Sequence, residues 1–220
     1  MYTIIFSLLL HNFLPLLLNT ETKLRFYSTG TVFETYAVKR IIMNSINKNQ
    51  PEENQKDLLG EEAVEKVKQL VEKAGTCFFC TDIRTGNPFL TRPMAAQKTD
   101  DDGNIYFLSA SDSNHNIEIE KDPMVQLLFQ GSSYDSFLTL YGKATISRDK
   151  AMIKELWNPM MKTWFTEGEN DPRITLITVT ASEGYYWDTK HGKLVSFVKR
   201  LMGAATGQTL DDSIQGTITM

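Results

Sequence analysis

PFLTRPMAAQKTDDDGNIYFLSASDSNHNIEIEKDPMVQLLF, residues 88–129, decides the fold of this 220-residue chain. By period it is two strands joined by an acidic turn, then a polar loop opening a short helix, then a third strand. Pro88 to Gln97 carries β-compatible residues around one arginine, Arg92, and Asp100 to Asn104 is turn chemistry. Ile105 to Ser109 is a short apolar run, and Met124 to Phe129 is the third strand. A cation inside a strand is therefore followed, one strand later, by Ser109, Ser111, Ser113, Asn114, His115 and Asn116 at a helix start, where free backbone N–H groups collect. That arrangement predicts an anion cradle.

Outward from this stretch the pattern stays β-rich. Thr76–Ile83, Ser136–Ser147 and Ile174–Thr180, the last running on to Trp187, read as further strands, and Gly142 marks a bend or close approach within the long one. Glu61–Ala74 spaces Ala63, Val64, Val67, Leu70, Val71 and Ala74 as an amphipathic helix stopped by Gly75. Asp149 caps a second helix with an apolar face of Met152, Ile153, Leu156 and Trp157. A helical segment from Leu194 to Ala205 with a loose polar tail completes the reading. Many strands with helices outside predict a mainly β fold, a small barrel with peripheral helices.

The net charge of −4 at pH 7, with no basic block, argues against a sequence-independent grip on nucleic acid. Cys77 and Cys80 are spaced C-x-x-C, but in a strand positions i and i+3 point to opposite faces, so two buried structural thiols and no metal site are expected. The Asp100–Asp102 run reads as a solvated turn. Residues 4–18, IIFSLLLHNFLPLLL, are too short for a membrane span, are broken by His11, Asn12 and Pro15, and lack a basic lead-in. No membrane association and a reduced, cytoplasmic compartment are the expectation. Composition changes abruptly at Met43, so residues 1–42 are read as a spurious or disordered extension, a poorly formed export or anchor sequence being the alternative, and 43–59 as a polar disordered lead-in. The barrel domain is then 60–190, with the C-terminal helix and tail at 191–220.

Five landmarks in order carry a family resemblance: TRPMAAQ (91–97), FLSASDSNHNIEIEKDPMVQLLF (107–129), YGKA (141–144), LWNPMMKTWFTEGENDP (156–172) and GYYWDTKHGKL (184–194). The chain resembles the FMN-binding split barrels of the pyridoxamine 5′-phosphate oxidase-like superfamily, and within it the general stress protein 26 branch. The resemblance implies a six-stranded antiparallel split barrel, paired as a homodimer with flavin at the interface. It implies FMN as cofactor, FAD being the alternative, and a small-molecule redox partner.

Carried over residue by residue, the second-strand arginine that meets the phosphate matches Arg92, and the following ring-lining backbone matches Pro93, Met94, Ala95, Ala96 and Gln97. Leu108 and Ser109 match the end of the third strand, the helix start runs through Ser111, Ser113, Asn114, His115 and Asn116, and the aromatic near the C-terminal strand matches Trp187. A planar, permanently charged guanidinium suits a phosphate better than a lysine does. The family's Arg-Lys pair at the helix start is replaced here by Asn114 and His115, which leads to the expectation that a protonated His115 restores one charge and makes FMN binding pH-sensitive. A flavin-touching glutamine becomes Phe137. The tyrosine–arginine–serine set and the C-terminal arginine motif of the true oxidases are absent, which argues against vitamin B6 oxidation. Trp157, Trp164, Phe165, Tyr185 and Tyr186 are expected in the core or at the dimer interface. No general acid or base can be named, so a flavin-dependent oxidoreductase stands beside a non-catalytic flavin-binding stress protein and a barrel for haem or another planar ligand.

Overall fold

The computed structural model describes residues 23–28, 31–36, 53–86, 88–131, 136–191, 202 and 212–220. The chain divides into two units, 1–45 and 46–220. In the first, Lys23–Ser28 (β1) and Thr31–Tyr36 (β2) pair as an antiparallel hairpin.

In the second unit Leu58–Leu59 (β3) leads into the helix Glu61–Ala74 (α1). There follow Thr76–Thr81 (β4), Leu90–Ala95 (β5), Lys98–Thr99 (β6) and Asn104–Ala110 (β7). The helix Asn114–Lys121 (α2) precedes Met124–Gln130 (β8) and Phe137–Ser147 (β9). The helix Lys150–Leu156 (α3), Ile174–Thr189 (β10) and Ser213–Thr219 (β11) complete it. The sheet runs β5–β4–β8–β9–β10–β11–β3, with β7 also on β10 and β6 on β7. The expected six-stranded antiparallel split barrel is present as β4, β5 and β7 to β10. One segment joins its ends: β5 pairs with β4, and two residues later β6 pairs with β7, with the Gln97 N–H donating to the Tyr106 carbonyl at 2.8 Å.

Period-two alternation puts Phe79, Ile105, Phe107, Val125, Leu127, Leu138, Leu140, Ile177 and Val179 inside, and α1 closes the barrel with Ala63, Val67, Leu70 and Val71. The helix stops where expected: Gly75 takes φ 68° and donates its N–H to the Val71 carbonyl at 2.7 Å. A second cluster of Ile153, Leu156, Met161, Phe165, Ile174 and Leu176 sits under α3.

Gly142 fulfils its reading. It faces the bulge in β10 between Ala181 and Glu183, and a Cβ there would press into the Thr180 carbonyl oxygen and come within 2.9 Å of the Ala181 Cα. Since backbone cannot step aside cheaply, Gly142→Ala is expected to cost about 2 kcal/mol of stability. Urea denaturation checks this; an unchanged midpoint would contradict the close approach.

One difference lies at the C-terminus. Apart from Met202, the helix expected over 194–205 falls outside the described residues. The tail that reads as loose is strand β11, antiparallel to Glu183–Thr189 and parallel to β3. Its alternation of Ile214, Gly216 and Ile218 turns Ile218 into the core, and Gly216 lets the strand lie against the Lys56 carbonyl.

Candidate functional site

Arg92 lies opposite Phe79 in the β4–β5 register, so its side chain starts on the core-facing side of the sheet and reaches α2. There the guanidinium meets Glu118 fork to fork: Nη1 donates to Oε2 and Nη2 to Oε1, both at 2.6 Å. Thr81 Oγ1 also donates to Glu118 Oε2 at 2.6 Å and lies 3.4 Å from Arg92 Nη1. Burial alone would raise the Glu118 carboxyl, but the hydrogen bonds from Arg92 and Thr81 and the Arg92 charge outweigh it and hold it below the usual range. Neither residue is free: the side chains are 30% and 12% exposed.

The helix start is satisfied from within. Ser113 caps α2 by accepting from the Asn116 N–H at 3.3 Å, and its hydroxyl shares a hydrogen bond with Ser109 at 3.2 Å. Buried Asn116 donates through Nδ2 to Thr175 Oγ1 at 2.8 Å, and that hydroxyl donates to the Ser109 carbonyl at 3.0 Å. The four side chains thus tie β7, α2 and β10 together. Ser111 is half-buried and Asn114 exposed. Ser109, Ser113 and Asn116, named from the sequence, do come together, and their hydrogen bonds go to one another and to Thr175.

His115 corrects its expectation. The residue is buried, edge-on to the Phe79 ring at 4.4 Å between centroids, and its Nε2 has no hydrogen-bond partner among the described residues. Burial, and then the neighbouring Arg92 charge, push its pKa down to about 4 against the opposing pull of Glu118. With its pKa lowered so far, the ring is neutral across the physiological range and brings no positive charge of its own to the helix start. Because the folded pKa lies below the ordinary 6.5, the unfolded chain takes the proton first. The associated stability is present above pH 6.5 and lost as pH falls from there toward 4, up to about 3 kcal/mol. His115→Leu is expected to remove that share of the acid sensitivity; denaturation curves for both proteins at pH 7 and pH 4 that fall in parallel would contradict this.

Along β5, Pro93 and Ala95 face outward, and Met94 and Ala96 pack against the core. Gln97, half-buried, folds its amide back onto the Ala95 carbonyl at 2.9 Å. Leu108 packs against the second cluster. On the outer face, register aligns Pro93, Phe78, Leu128, Thr139 and Tyr185 across five strands, with Phe137 and Trp187 paired beside them. Phe78 is 55% and Trp187 42% exposed, and the Tyr185 and Trp187 rings lie 4.6 Å apart. Of the expected aromatics, Tyr186 and Phe165 are core residues, while Trp164 is exposed.

Both cysteines are buried free thiols, Cys77 held above its usual pKa range by burial and then by Cys80. Among the described residues no three His, Cys, Asp or Glu side chains come together, and no helix is long and apolar enough to cross a membrane. Glu118 and Thr81 are the site residues that sequence reasoning missed. Glu118 follows His115 by three residues, so helical period alone puts it on the same face.

A general stress protein 26 from Jannaschia sp. CCS1 has a similar solved structure, with a TM-score of 0.62 at 22% identity, covering 73% of this chain and 100% of that one. A second similar structure is a protein from Xanthomonas citri described as a general stress FMN/FAD binding protein, with a TM-score of 0.50 at 25% identity, covering 60% and 91%. The bli-3 protein of Neurospora crassa is 26% identical over 114 residues, 48% of this chain; the chain spans about half of that relative's length, 54%. The family model described as pyridoxamine 5′-phosphate oxidase like matches residues 62–211. With that match covering most of the chain and laid over the barrel just described, the chain belongs to the pyridoxamine 5′-phosphate oxidase-like family.

Proposed function

We propose that two copies of this chain bind flavin between them, FMN being the form the family resemblance implies, and that the pair is a cytoplasmic flavin-dependent oxidoreductase acting on a small molecule. The observation that carries this is the outer face: Phe78, Phe137, Tyr141 and Trp187 stand more than a third exposed on paired strands of a single chain. Large aromatics exposed on one sheet face, Phe137 and Trp187 as direct register partners, are what a flat ring system and a second protein surface would cover.

The ring end fits a flavin. The phosphate end fits less well, because the one arginine there is engaged by Glu118. Bound flavin would supply the hydride or electron transfer. The chain's own part is to position the ring, with Pro93 to Gln97 along one side and Trp187 from the sheet face, and to keep water from it. No described side chain of this site is poised as acid or base, since His115 is neutral and enclosed.

The test is a titration of riboflavin, followed by fluorescence quenching, alongside sedimentation of the protein. The native chain is expected to sediment as a dimer and to quench flavin; Phe137→Ser with Trp187→Ser is expected to lose both. A monomer that binds flavin equally well with and without those rings would overturn the interface site. Steady NADH or NADPH oxidation by the flavin-loaded dimer supports the oxidoreductase, and a single stoichiometric reduction without turnover supports the flavin-buffering alternative.

A further inference from the structure

We propose that Glu118 is a built-in anion that closes the phosphate end of the cofactor site, so that the site takes the flavin ring system without selecting for its 5′-phosphate. The inference rests on the flavin reading above but concerns one residue pair. The end-on fork of Arg92, its Nη1 and Nη2, is on the two Glu118 oxygens at 2.6 Å, and Thr81 donates to one of those oxygens as well. An incoming phosphate must displace a carboxylate that is anchored on the same cation and repels the newcomer at contact distance. Little else there could compensate. Asn114 is uncharged, His115 is enclosed and neutral, and Ser113 and Asn116 bond to Ser109 and Thr175. Arg84 is paired with Asp122 and Arg173 with Asp171. The helix start retains backbone N–H groups for a polar edge, and among the described residues the arginines named beside it are all paired.

Glu118→Gln keeps the shape, removes the negative charge and releases one of the two Arg92 Nη groups that the carboxylate holds. Binding of riboflavin and of FMN is compared by equilibrium titration for both proteins. In parallel, melting is measured with inorganic phosphate against chloride at equal ionic strength. The native protein is expected to bind the two flavins within about threefold of one another and to gain no stability from phosphate. Glu118→Gln is expected to favour FMN by about tenfold or more and to be stabilised by phosphate, and Arg92→Met added to it abolishes both gains. Should Glu118→Gln fail to fold, Thr81→Val, which loosens Glu118, gives a smaller change in the same direction.

A native protein that prefers FMN tenfold, or a Glu118→Gln variant with an unchanged ratio and no response to phosphate, overturns the proposal. If neither protein binds any flavin but the phosphate response appears only in the variant, the closure by Glu118 stands and the flavin reading falls. If both responses are absent, both fall.

Discussion

Phe79→Ala is expected to lower the unfolding free energy by about 4 kcal/mol, the loss typical of deleting a fully enclosed aromatic. Phe79 has no exposed surface, sits mid-strand in β4, and packs edge-on to Phe107 at 5.2 Å and to His115 at 4.4 Å between centroids. Backbone ladders on both sides, to β5 and β8, keep the strand from collapsing into the hole, which places the loss at the upper part of the range. Phe79→Leu refills most of the volume and is expected to cost about 1 kcal/mol. A site-level effect accompanies the loss: with the ring gone, water reaches the His115 imidazole and its pKa climbs back toward the ordinary value. Urea denaturation reads the first effect and imidazole titration by NMR the second. A loss under about 1 kcal/mol would mean that Phe79 is not the centre of this core.

Arg92→Met is expected to cost about 3 kcal/mol at neutral pH, because it strands Glu118, 12% exposed, with Thr81 as its remaining partner. The solvent access of Arg92 keeps the figure at the low end of the range for broken buried pairs. Two further readings separate this from simple loss of packing. Adding Glu118→Gln to Arg92→Met should restore much of the stability, since the stranded charge goes with it. The sign of the pH dependence also follows. In the native protein the Glu118 carboxyl is held below its usual 4.5, so its contribution is full above that value and is lost as pH falls through the lower folded value. Arg92→Met has no such contribution to lose, and the gap between the two proteins should narrow in acid. A gap that stays constant from pH 7 to pH 3 would contradict the pairing.

The barrel was legible because its signals are local. Alternation in 104–110 and 124–130 put every second residue inside, and the same period turned Tyr186 inward and Trp187 outward. Gly142 and Gly75 could be read because each answers a local backbone demand. Arg92 was recognisable as a cation inside a strand, but its partner was not. Glu118 lies 26 residues away, and their meeting depends on the β4–β5 register and on where α2 docks over it. His115 shows the same limit: a helix start reads as open to solvent, while the tertiary packing of Phe79 against the first turn encloses it. Strand β11 depends on β10 for its partner, which lies some thirty residues earlier.

The most direct measurement of the account is the absorption spectrum of the protein as purified, with the mass of whatever pigment denaturation releases. The aromatic outer face and the split barrel together predict oxidised-flavin bands and a released flavin, near one per chain. A colourless protein that takes up no added flavin, or one that shows a haem Soret band instead, would contradict it.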